Sequence, residues 1–546
     1  MPVTIATSRT LLSPSHFTKE TRYITNMGKF KLSSLLSRSS SSATDHEKKA
    51  QNRMSFAGFS SKPIKEVDAS SLNVKPTKTA SSSDDASVVE PAPAPSRMVV
   101  LSQTIARETA KIEAYMNENN LTMPSFDVDS PADFPHLPPD ILKSRHEVLF
   151  ASRELNLLAH GPRESLRWGV WQFLDVLALQ VLNHFGIAKL FPADSTISLA
   201  ELQSKTSLDP VNLARLLRLA MTNGIFREPS PGIIAHSAAS KVLAEDGDLE
   251  AWIGFNLEDI FPASAHVLQS LKTHPEATSL VRSGFCFAFD TVDKEPMFAT
   301  FGKDPLRAKR MGKAMVSLTG GEGYEVSHFV DGYDLTDIDA KGGTFVDVGG
   351  SHGFVCVDLA QKYKNIKFVV QDLPKTIDSA PKPIAEDAQV AERIELVAHD
   401  FFTEQVTKDA DVYYLRWIIH NYSTPYAVKI LKNLIPALKP GAKIVINDHC
   451  LLESGMETPW DERVMRGMDV VMLTLLNAQE RTEREFRGLF EAAGEGFVFG
   501  GVKRAEGCRM SVVEAVWRPD LVGKEGEGEE KVAVEEVVEE VVEEAK

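Results

Sequence analysis

The sequence predicts an α/β protein, in which a mostly parallel sheet with helices on both faces follows an N-terminal domain built from helices. Two observations lead to this fold class. From about residue 340 to residue 518, strand-like apolar runs alternate with segments of helical periodicity, an order that requires parallel strands joined by crossover helices. Between about residues 98 and 335 the apolar residues recur instead at helical spacing, with one small hairpin.

Length and composition allow two or three domains and argue against several classes of protein. The chain has 546 residues, of which 43% are hydrophobic. Its formal net charge of −16 argues against nucleic acid as the main partner, because phosphate binding needs clustered Lys and Arg. The four cysteines lie far apart and form no CxxC pair, which predicts neither a disulfide framework nor a metal site and fits a reducing compartment, so we expect a cytoplasmic protein. No apolar run reaches the roughly 20 residues that span a bilayer, so we expect no membrane span.

Both ends of the chain have a biased composition. Residues 1–97 are rich in Ser, Lys, Thr and Pro, and we expect a disordered leader, because such a segment buries too little apolar surface to offset its ordering entropy. The first 19 residues lack acidic side chains, so a transit peptide for organelle import is a second interpretation. Residues 520–546 are dominated by Glu and Val, and we expect a solvated acidic tail there.

Residues 98–335 are predicted to form the helical domain. Amphipathic helices are expected over residues 102–120, 139–160 and 163–185, and the last of these carries a broad apolar stripe that ends at Gly186.

A winged-helix-like unit is predicted within this domain. A short helix over residues 197–202 precedes a helix that begins with Asp209 as N-cap and Pro210 in its first turn. A hairpin around Pro231-Gly232 completes the unit. Such units read DNA or serve as dimerisation scaffolds, and the scarcity of basic residues on the second helix favours dimerisation.

Residues 336–519 are expected to form the sheet domain. Strands are predicted at residues 345–348, 367–371, 394–398, 412–415, 443–447 and 511–517. Helices are predicted at residues 354–363, 425–438, 465–475 and 483–493. Ligands of such sheets bind beyond the carboxyl ends of the strands, so the residues that directly follow the strands are the candidates for function.

A glycine-rich turn follows the first of these strands. Gly349, Gly350 and Gly353 let the backbone turn sharply and approach a ligand closely. Asp372 comes 19 residues after Gly353, a distance at which an acid at the next strand end reaches ribose hydroxyls. Many turns of this kind are glycine-rich for packing reasons alone, but the acid favours an adenosine-type cofactor. The spacing is neither that of a dinucleotide fingerprint nor that of a phosphate loop.

Other candidates are ambiguous on the residues alone. His420 follows an apolar run, where a histidine is either a general base or a satisfied core residue. Trp417 is by default core packing, and Glu480 could simply open a helix, because acids are favoured near helix N-termini. Methionines of the helices are most often core filler: Met311, Met315 and Met472.

Five motifs occur together in one order and spacing. They are Asp347-Val-Gly-Gly-Ser-His-Gly353, Gln371-Asp-Leu-Pro374, His399-Asp-Phe401, Arg416-Trp-Ile-Ile-His420 and Glu480-Arg-Thr482. In combination they resemble the plant-type small-molecule O-methyltransferases of the caffeic acid and flavonoid group, and especially the fungal branch that methylates polyketide-type phenols such as sterigmatocystin. The resemblance covers roughly residues 100–518. It implies a Rossmann-like class I methyltransferase sheet, an N-terminal winged-helix dimerisation domain and a role in secondary metabolism.

The resemblance also implies a cofactor, S-adenosyl-L-methionine, and a role for each matched residue. Asp372 would bind the ribose hydroxyls and Leu373 would pack on the adenine. Asp400 and Phe401 would bracket the adenine. The full set of cofactor-binding residues is Gly349, Gly350, Gly353, Asp372, Leu373, Asp400, Phe401 and Arg416.

The same resemblance assigns the chemistry and the acceptor pocket. It implies His420 as the general base, with Asp448 and Glu480 orienting its imidazole. The acceptor, a small aromatic molecule that bears a hydroxyl group, would lie among Trp417, Met311, Met315, Met472 and Asn477. The protein would act as a homodimer.

The reaction has a physical requirement that this set of residues meets. A neutral phenol, with a pKa of about 10, is a poor nucleophile at neutral pH. A histidine that removes the proton during attack typically contributes about 10²–10⁴-fold. Two alternatives from other classes stay open: a cofactor-binding relative that catalyses a non-methylating reaction such as cyclisation, and a winged-helix DNA-binding regulator.

Two residues depart from the family pattern. Ser351 stands where plant members usually carry a third glycine, and Asn421 follows His420 where they usually carry Asp. The first affects the approach of the backbone to the cofactor, and the second removes one acidic neighbour of the histidine.

Overall fold

The computed structural model describes residues 94–521. The predicted leader and the predicted acidic tail therefore lie outside the described residues, apart from a few residues at their inner ends. Within the described residues, no helix combines the length and the apolar character needed to cross a bilayer.

The first part of the described chain is mainly helical. Its helices are α1 (Arg97–Glu118), α2 (Pro139–Gly169), α3 (Gln172–His184), α4 (Leu199–Ser204), α5 (Pro210–Met221), α6 (Ala238–Glu245), α7 (Gly247–Phe255), α8 (Phe261–Thr273), α9 (Gly284–Ala288), α10 (Met297–Lys303), α11 (Pro305–Thr319), α12 (Ser327–Gly332) and α13 (Thr336–Ala340). Its strands are β1 (Thr196–Ser198), β2 (Arg227–Ser230) and β3 (Ile233–Ala235). A π-type turn, Asn256–Ile260, joins α7 to α8.

The second part alternates strands and helices. Its strands are β4 (Thr344–Val348), β5 (Lys367–Asp372), β6 (Ile394–Ala398), β7 (Val412–Arg416), β8 (Lys443–Asp448), β9 (Cys450–Leu451), β10 (Arg481–Thr482), β11 (Phe497–Lys503) and β12 (Ser511–Trp517). Its helices are α14 (Phe354–Lys362), α15 (Pro374–Ser379), α16 (Ala388–Ala391), α17 (Thr424–Leu434), α18 (Pro459–Leu476) and α19 (Glu483–Ala493).

A seven-stranded sheet in the order β11-β12-β8-β7-β4-β5-β6 confirms the predicted α/β fold class. The strands β8, β7, β4, β5 and β6 run parallel, while β12 pairs antiparallel with β8 and β11 with β12. The central strand β7 is buried along its whole length, as expected where helices cover both faces of a parallel sheet. The carboxyl ends of the five parallel strands consequently meet at one edge.

The strand β11 was not predicted. Two adjacent glycines, Gly500 and Gly501, interrupt its apolar pattern, and the register with β12 shifts there in a bulge.

The prediction of a single helix over residues 163–185 is wrong. The chain is kinked at Gly161, whose φ is +71°, continues to Gly169, and starts again as α3 at Gln172. Gly169 has a low helix propensity, which favours a break at this point. Gly186, in the left-handed conformation with φ +58°, ends α3 as predicted.

The winged-helix-like unit consists of α4, α5 and a three-stranded antiparallel sheet in the order β1-β3-β2. Asp209 caps α5 by accepting hydrogen bonds from the backbone N–H groups of Val211 (2.9 Å) and Asn212 (3.2 Å). The predicted short helix begins two residues later than expected. Ser198 ends β1 and caps α4 with its hydroxyl group.

Candidate active site

The glycine-rich turn after β4 is fixed against β5. The backbone N–H groups of Gly349 and Gly350 both donate to the carbonyl of Gln371, at 2.8 and 2.9 Å. Gly349 has a φ of +77°, and a Cβ placed on it would lie 2.6 Å from Cδ1 of Ile418. The turn therefore lies directly beside the segment that follows β7, and no larger residue fits at its first position.

The strand ends beside this turn carry groups that fit an adenosine. The Asp372 carboxylate accepts the N–H groups of Ser351 (2.9 Å) and Leu373 (2.7 Å), one on each oxygen. Each oxygen keeps a second lone pair, which suits the hydroxyl donors of a ribose. The Leu373 side chain is 52% exposed and offers an apolar surface.

Asp400 and Phe401 follow β6 at the same edge. The exposed Asp400 carboxylate accepts the N–H of Phe402 at 2.9 Å, and the Phe401 ring is half-buried near Gly349. The cofactor-binding residues predicted after β4, β5 and β6 are thus brought together at one edge of the sheet.

Arg416, at the end of β7, is buried and has a different set of contacts. Its guanidinium donates to Oδ1 of Asn447 and to the carbonyl of Tyr324 (2.8 Å), and its Nε has no hydrogen-bond partner. It lines a small cavity of about 190 Å³ together with Phe329 and Met510. These contacts fix the side chain between β8 and the loop before α12.

His420 lies in a short 3-10 turn, Ile419–Asn421, just beyond β7. Its Nδ1 lies 2.9 Å from Oε1 of Glu480, so Nδ1 carries the proton, because a carboxylate only accepts. Within the described part of the chain, Nε2 has no hydrogen-bond partner. Asp448 contacts the backbone instead of the ring, since its Oδ2 accepts the N–H of His420 at 2.9 Å.

Burial and charge act in opposite directions on this pair. Burial alone raises the pKa of the Glu480 carboxyl, but the neighbouring His420 outweighs it and lowers that pKa to about 2. Burial lowers the pKa of His420, and the Glu480 charge with its hydrogen bond more than compensates, so that the pKa is raised. Glu480 is thus ionised at neutral pH and makes the imidazole a stronger base.

Glu480 is positioned by the chain on either side of it. Its backbone N–H donates to Oδ1 of Asp469 at 2.9 Å. The fully buried Arg481 donates to the carbonyls of Ile419 (3.0 Å) and Tyr422 (2.6 Å), which ties β10 to the His420 turn. The start of α19 does not involve Glu480, because Thr482 is its N-cap and forms a capping box with Glu485.

Trp417 lies where the chain reverses after β7. Its φ is +56°, a rare and strained value for a bulky residue. The indole packs 4.8 Å from the His420 ring, and its Nε1 has no hydrogen-bond partner. Such strain is typical of functional sites, where the surrounding structure holds the residue in place.

The remaining predicted acceptor residues lie on α11 and at the end of α18. Met311 and Met315 are one turn apart on α11, partly buried against the main core, and Met472 is buried on α18. Asn477 ends α18 with φ +50°, and its side-chain amide donates to the carbonyl of Ser279 at 2.8 Å. The Asn477 amide therefore makes a hydrogen bond within the protein.

Two features of the site were not predicted. His449, directly after Asp448, is fully buried with Nδ1 3.4 Å from Oε1 of Glu480. The Tyr324 ring packs against Trp417 at 5.7 Å. A cavity of about 950 Å³ is lined by residues of the ranges 133–150, 320–328, 457–461 and 504–509, and none of the predicted site residues is among them. Only His449 had a sequence signal, since it follows a predicted site residue at a strand end.

The fold and the site define a class of protein. An open α/β sheet with groups that fit an adenosine beyond β4, β5 and β6, and a carboxylate-bound histidine beyond β7, is the arrangement of a cofactor-dependent group-transfer enzyme with the Rossmann-like class I methyltransferase fold.

Comparison with known proteins identifies the family. The family model for the O-methyltransferase domain matches residues 291–497. The chlorophenol O-methyltransferase of Trichoderma longibrachiatum is 61% identical over 424 residues, which cover 78% of this chain and 91% of that protein. O-methyltransferase AMT9 of Alternaria alternata is 35% identical over 441 residues, 79% of this chain and 100% of that protein. The crystal structure of OxaC is similar in fold, with 23% identity, a TM-score of 0.62, and coverage of 78% of this chain and 100% of that chain.

The chain belongs to the O-methyltransferase family and is an enzyme that uses S-adenosylmethionine as the methyl donor. Both of the curated relatives compared above are named as O-methyltransferases, and neither is named for a non-methylating reaction or for DNA binding.

Proposed function

We propose that this O-methyltransferase methylates a phenolic hydroxyl group of a small aromatic, polyketide-type metabolite, with His420 as the general base. One observation carries the proposal. His420 is bound through Nδ1 to the buried Glu480 at 2.9 Å, and this leaves Nε2 as the nitrogen that accepts a proton.

The residues around His420 have separate roles in the proposed reaction. Glu480 holds the tautomer with the proton on Nδ1 and stabilises the imidazolium that forms when Nε2 takes the hydroxyl proton. Asp448 binds the backbone N–H of His420 and fixes the turn that carries the ring. When bound, S-adenosylmethionine supplies a methyl group on a sulfonium, and the electron pair of the broken carbon–sulfur bond stays on sulfur.

The residues after β4, β5 and β6 are proposed to hold the adenosine part of the cofactor. Asp372 accepts hydrogen bonds from the ribose, and Leu373 and Phe401 contact the adenine. Asp400 accepts from the adenine amino group. Arg416 is proposed to lie near the methionine part, where its unpartnered Nε is available for an anionic group.

An aromatic acceptor suits the surroundings of His420. The Trp417 ring lies 4.8 Å from the imidazole, and the polarizable thioethers of Met311 and Met315 are suited to contact a flat ring. The relative from Trichoderma longibrachiatum is named for a chlorophenol, which is an acceptor of this class.

The acceptor class is tested by incubating the purified chain with methyl-labelled S-adenosylmethionine and a panel of acceptors. The panel contains phenols, chlorinated phenols and polyketide phenols, with aliphatic alcohols of similar size as controls. We expect label in the phenols only. Label in aliphatic alcohols at a comparable rate would contradict the proposal, because their hydroxyl protons are too weakly acidic for a histidine.

A homodimer is proposed as the working form. The end of α2 and the start of α3 expose a run of large apolar side chains, an unusual surface for a monomer. They are Leu157 (49%), Leu158 (43%), Leu166 (75%), Trp168 (49%), Val170 (67%), Trp171 (55%) and Phe173 (51%). Self-association of this face would bury them.

The dimer is tested by light scattering coupled to gel filtration. The double change Leu166→Glu and Trp171→Glu is expected to give a monomer, because it places charges in an apolar contact. Val211→Glu, at an exposed apolar residue of α5, is the matched control and should keep the mass of the unchanged protein. A monomeric unchanged protein would refute the dimer.

We also propose a cytoplasmic location. Its support is the arrangement of the four cysteines, which are all buried and form no disulfide with one another, as expected in a reducing compartment. A fluorescent fusion of the full chain should be diffuse in the cell, and accumulation in an organelle would contradict this location.

A further inference from the structure

His449 is a second imidazole beside Glu480. Its Nδ1 lies 3.4 Å from Oε1 of Glu480, the oxygen that also binds Nδ1 of His420 at 2.9 Å. The side chains of His449 and Glu480 are both 0% exposed. The two histidines therefore face one carboxylate oxygen from different elements, because His420 follows β7 and His449 follows β8.

Packing holds the His449 ring in this place. The ring lies edge-on to Trp417, with 5.1 Å between ring centroids, and its centroid is 5.6 Å from that of Tyr324, so two aromatic rings pack against it. Neither of its ring nitrogens makes a well-directed hydrogen bond to a described residue. A buried polar group without a partner is costly, and such a group in a native structure needs a reason.

The charges around this pair are few. Besides His420, the ionisable groups that interact with Glu480 or with His420 are Tyr324 from the loop before α12, Asp448 from β8, Asp469 from α18 and Arg481 from β10. Asp448, Asp469 and Arg481 are each tied to a backbone group of this region. His449 is thus the one side chain besides His420, among the described residues, that reaches Oε1 of Glu480 with a ring nitrogen.

We propose that His449 is a positioning residue that shares the Glu480 oxygen with His420 and so extends the activity of His420 as a base to lower pH. The inference rests on the proposed role of His420. A carboxylate oxygen that two imidazole nitrogens approach, one at 2.9 Å and one at 3.4 Å, interacts with each less strongly than it would with one alone. Glu480 therefore stabilises the His420 imidazolium less than an unshared carboxylate would, and neutral His420 persists at lower pH.

The test compares His449→Phe with His449→Asn. Phenylalanine keeps a flat ring and removes the nitrogens, whereas the asparagine amide nitrogen takes the place of Nδ1. In His449→Phe the acid limb of the kcat–pH profile is expected to move to higher pH by about 0.4–1 unit, the equivalent of one net hydrogen bond. In His449→Asn it should stay where it is in the unchanged protein. The affinity for S-adenosylmethionine should be the same in all three.

An acid limb of His449→Phe at the position of the unchanged protein would overturn the proposal, and so would an equal shift in His449→Asn. If His449→Phe does not fold, His449→Gln replaces it, because its amide takes the place of Nε2 and should shift the limb as phenylalanine does. The absence of any acid limb in the unchanged protein would instead count against His420 as the base. The two failures are therefore distinguishable.

Discussion

At the scale of single residues, Glu480 raises the pKa of His420, the proposed general base. Burial lowers the pKa of His420, and the Glu480 carboxylate raises it above the ordinary value of about 6.5. The base form exists only above that pKa, so activity is lost as the pH falls through it. The hydrogen bond between His420 and Glu480 is therefore expected to set the lower end of the pH range in which the enzyme is active.

Removing the charge of Glu480 should shift this range. In Glu480→Gln burial still disfavours the imidazolium while the attraction is gone, so the pKa of His420 falls. We expect the acid limb of the kcat–pH profile to move to lower pH, together with a lower plateau, because the base is weaker and its tautomer is no longer held. Glu483→Gln, on the exposed start of α19, is the control and should leave the profile unchanged. A limb that stays in place in Glu480→Gln would contradict the account.

Ser351 provides a test of backbone strain in the glycine-rich turn. Its φ is +52°, in the left-handed region that costs a residue with a side chain about 1–2 kcal/mol. Glycine in its place relieves that strain and loses about 0.5–1 kcal/mol in chain entropy. Ser351→Gly should therefore stabilise the protein by up to about 1 kcal/mol in urea unfolding.

Gly353→Ala is the opposite change in the same turn. Its φ is +76°, and a Cβ would lie 2.9 Å from Val370 and 3.0 Å from Ile384. Strain and overpacking together should destabilise the protein by more than about 1 kcal/mol. A stabilised Gly353→Ala, or a destabilised Ser351→Gly, would show that the turn is not held as described.

At the scale of elements, a buried ion-pair cluster fixes α11, which carries Met311 and Met315. Asp259, in the π-type turn between α7 and α8, is fully buried and binds Nε of Arg307 at 2.7 Å and a terminal nitrogen of Arg310 at 2.8 Å. These ion pairs connect α11 to the turn between α7 and α8.

Asp259→Ala should destabilise the protein by about 3 kcal/mol, because it leaves two mostly buried arginines without their shared carboxylate. The measurement is urea unfolding followed by circular dichroism. Glu250→Ala removes an exposed ion pair with Lys189 on the neighbouring α7 and should change the stability by less than about 1 kcal/mol. Similar losses in both variants would show that burial does not decide the strength of these pairs.

The elements of the sheet domain could be predicted from the sequence where the local pattern is strong. β6, β12 and α19 have the predicted bounds, because each is an unbroken apolar or amphipathic run between clear turn residues. The break between α2 and α3 could not be predicted from the sequence, since no proline marks it and Gly169 alone is a weak signal.

Part of the site could also be predicted from the sequence. The residues that bring His420 and Glu480 together follow strand ends or stand in recognisable motifs. The contact of Asp448 with the backbone instead of the ring could not be predicted, because it depends on the orientation of a 3-10 turn. The proximity of Tyr324 to Trp417 depends on how a glycine-rich loop folds back, which no local pattern encodes.

At the scale of the whole molecule, the site is assembled from distant parts of one chain. The proposed cofactor-binding residues come from the ends of β4, β5 and β6, the proposed base from the turn after β7, and the carboxylate bound to it from the segment between α18 and α19. The central claim is that His420 removes the acceptor proton and is not needed to bind the cofactor.

The most direct test of this claim compares His420→Ala with the unchanged protein in two measurements on the same samples. The affinity for S-adenosylmethionine, measured by calorimetry, should be equal within error. The rate of methyl transfer to a phenol should fall by about 10²–10⁴-fold. Normal turnover in His420→Ala, with the cofactor bound as before, would contradict the account.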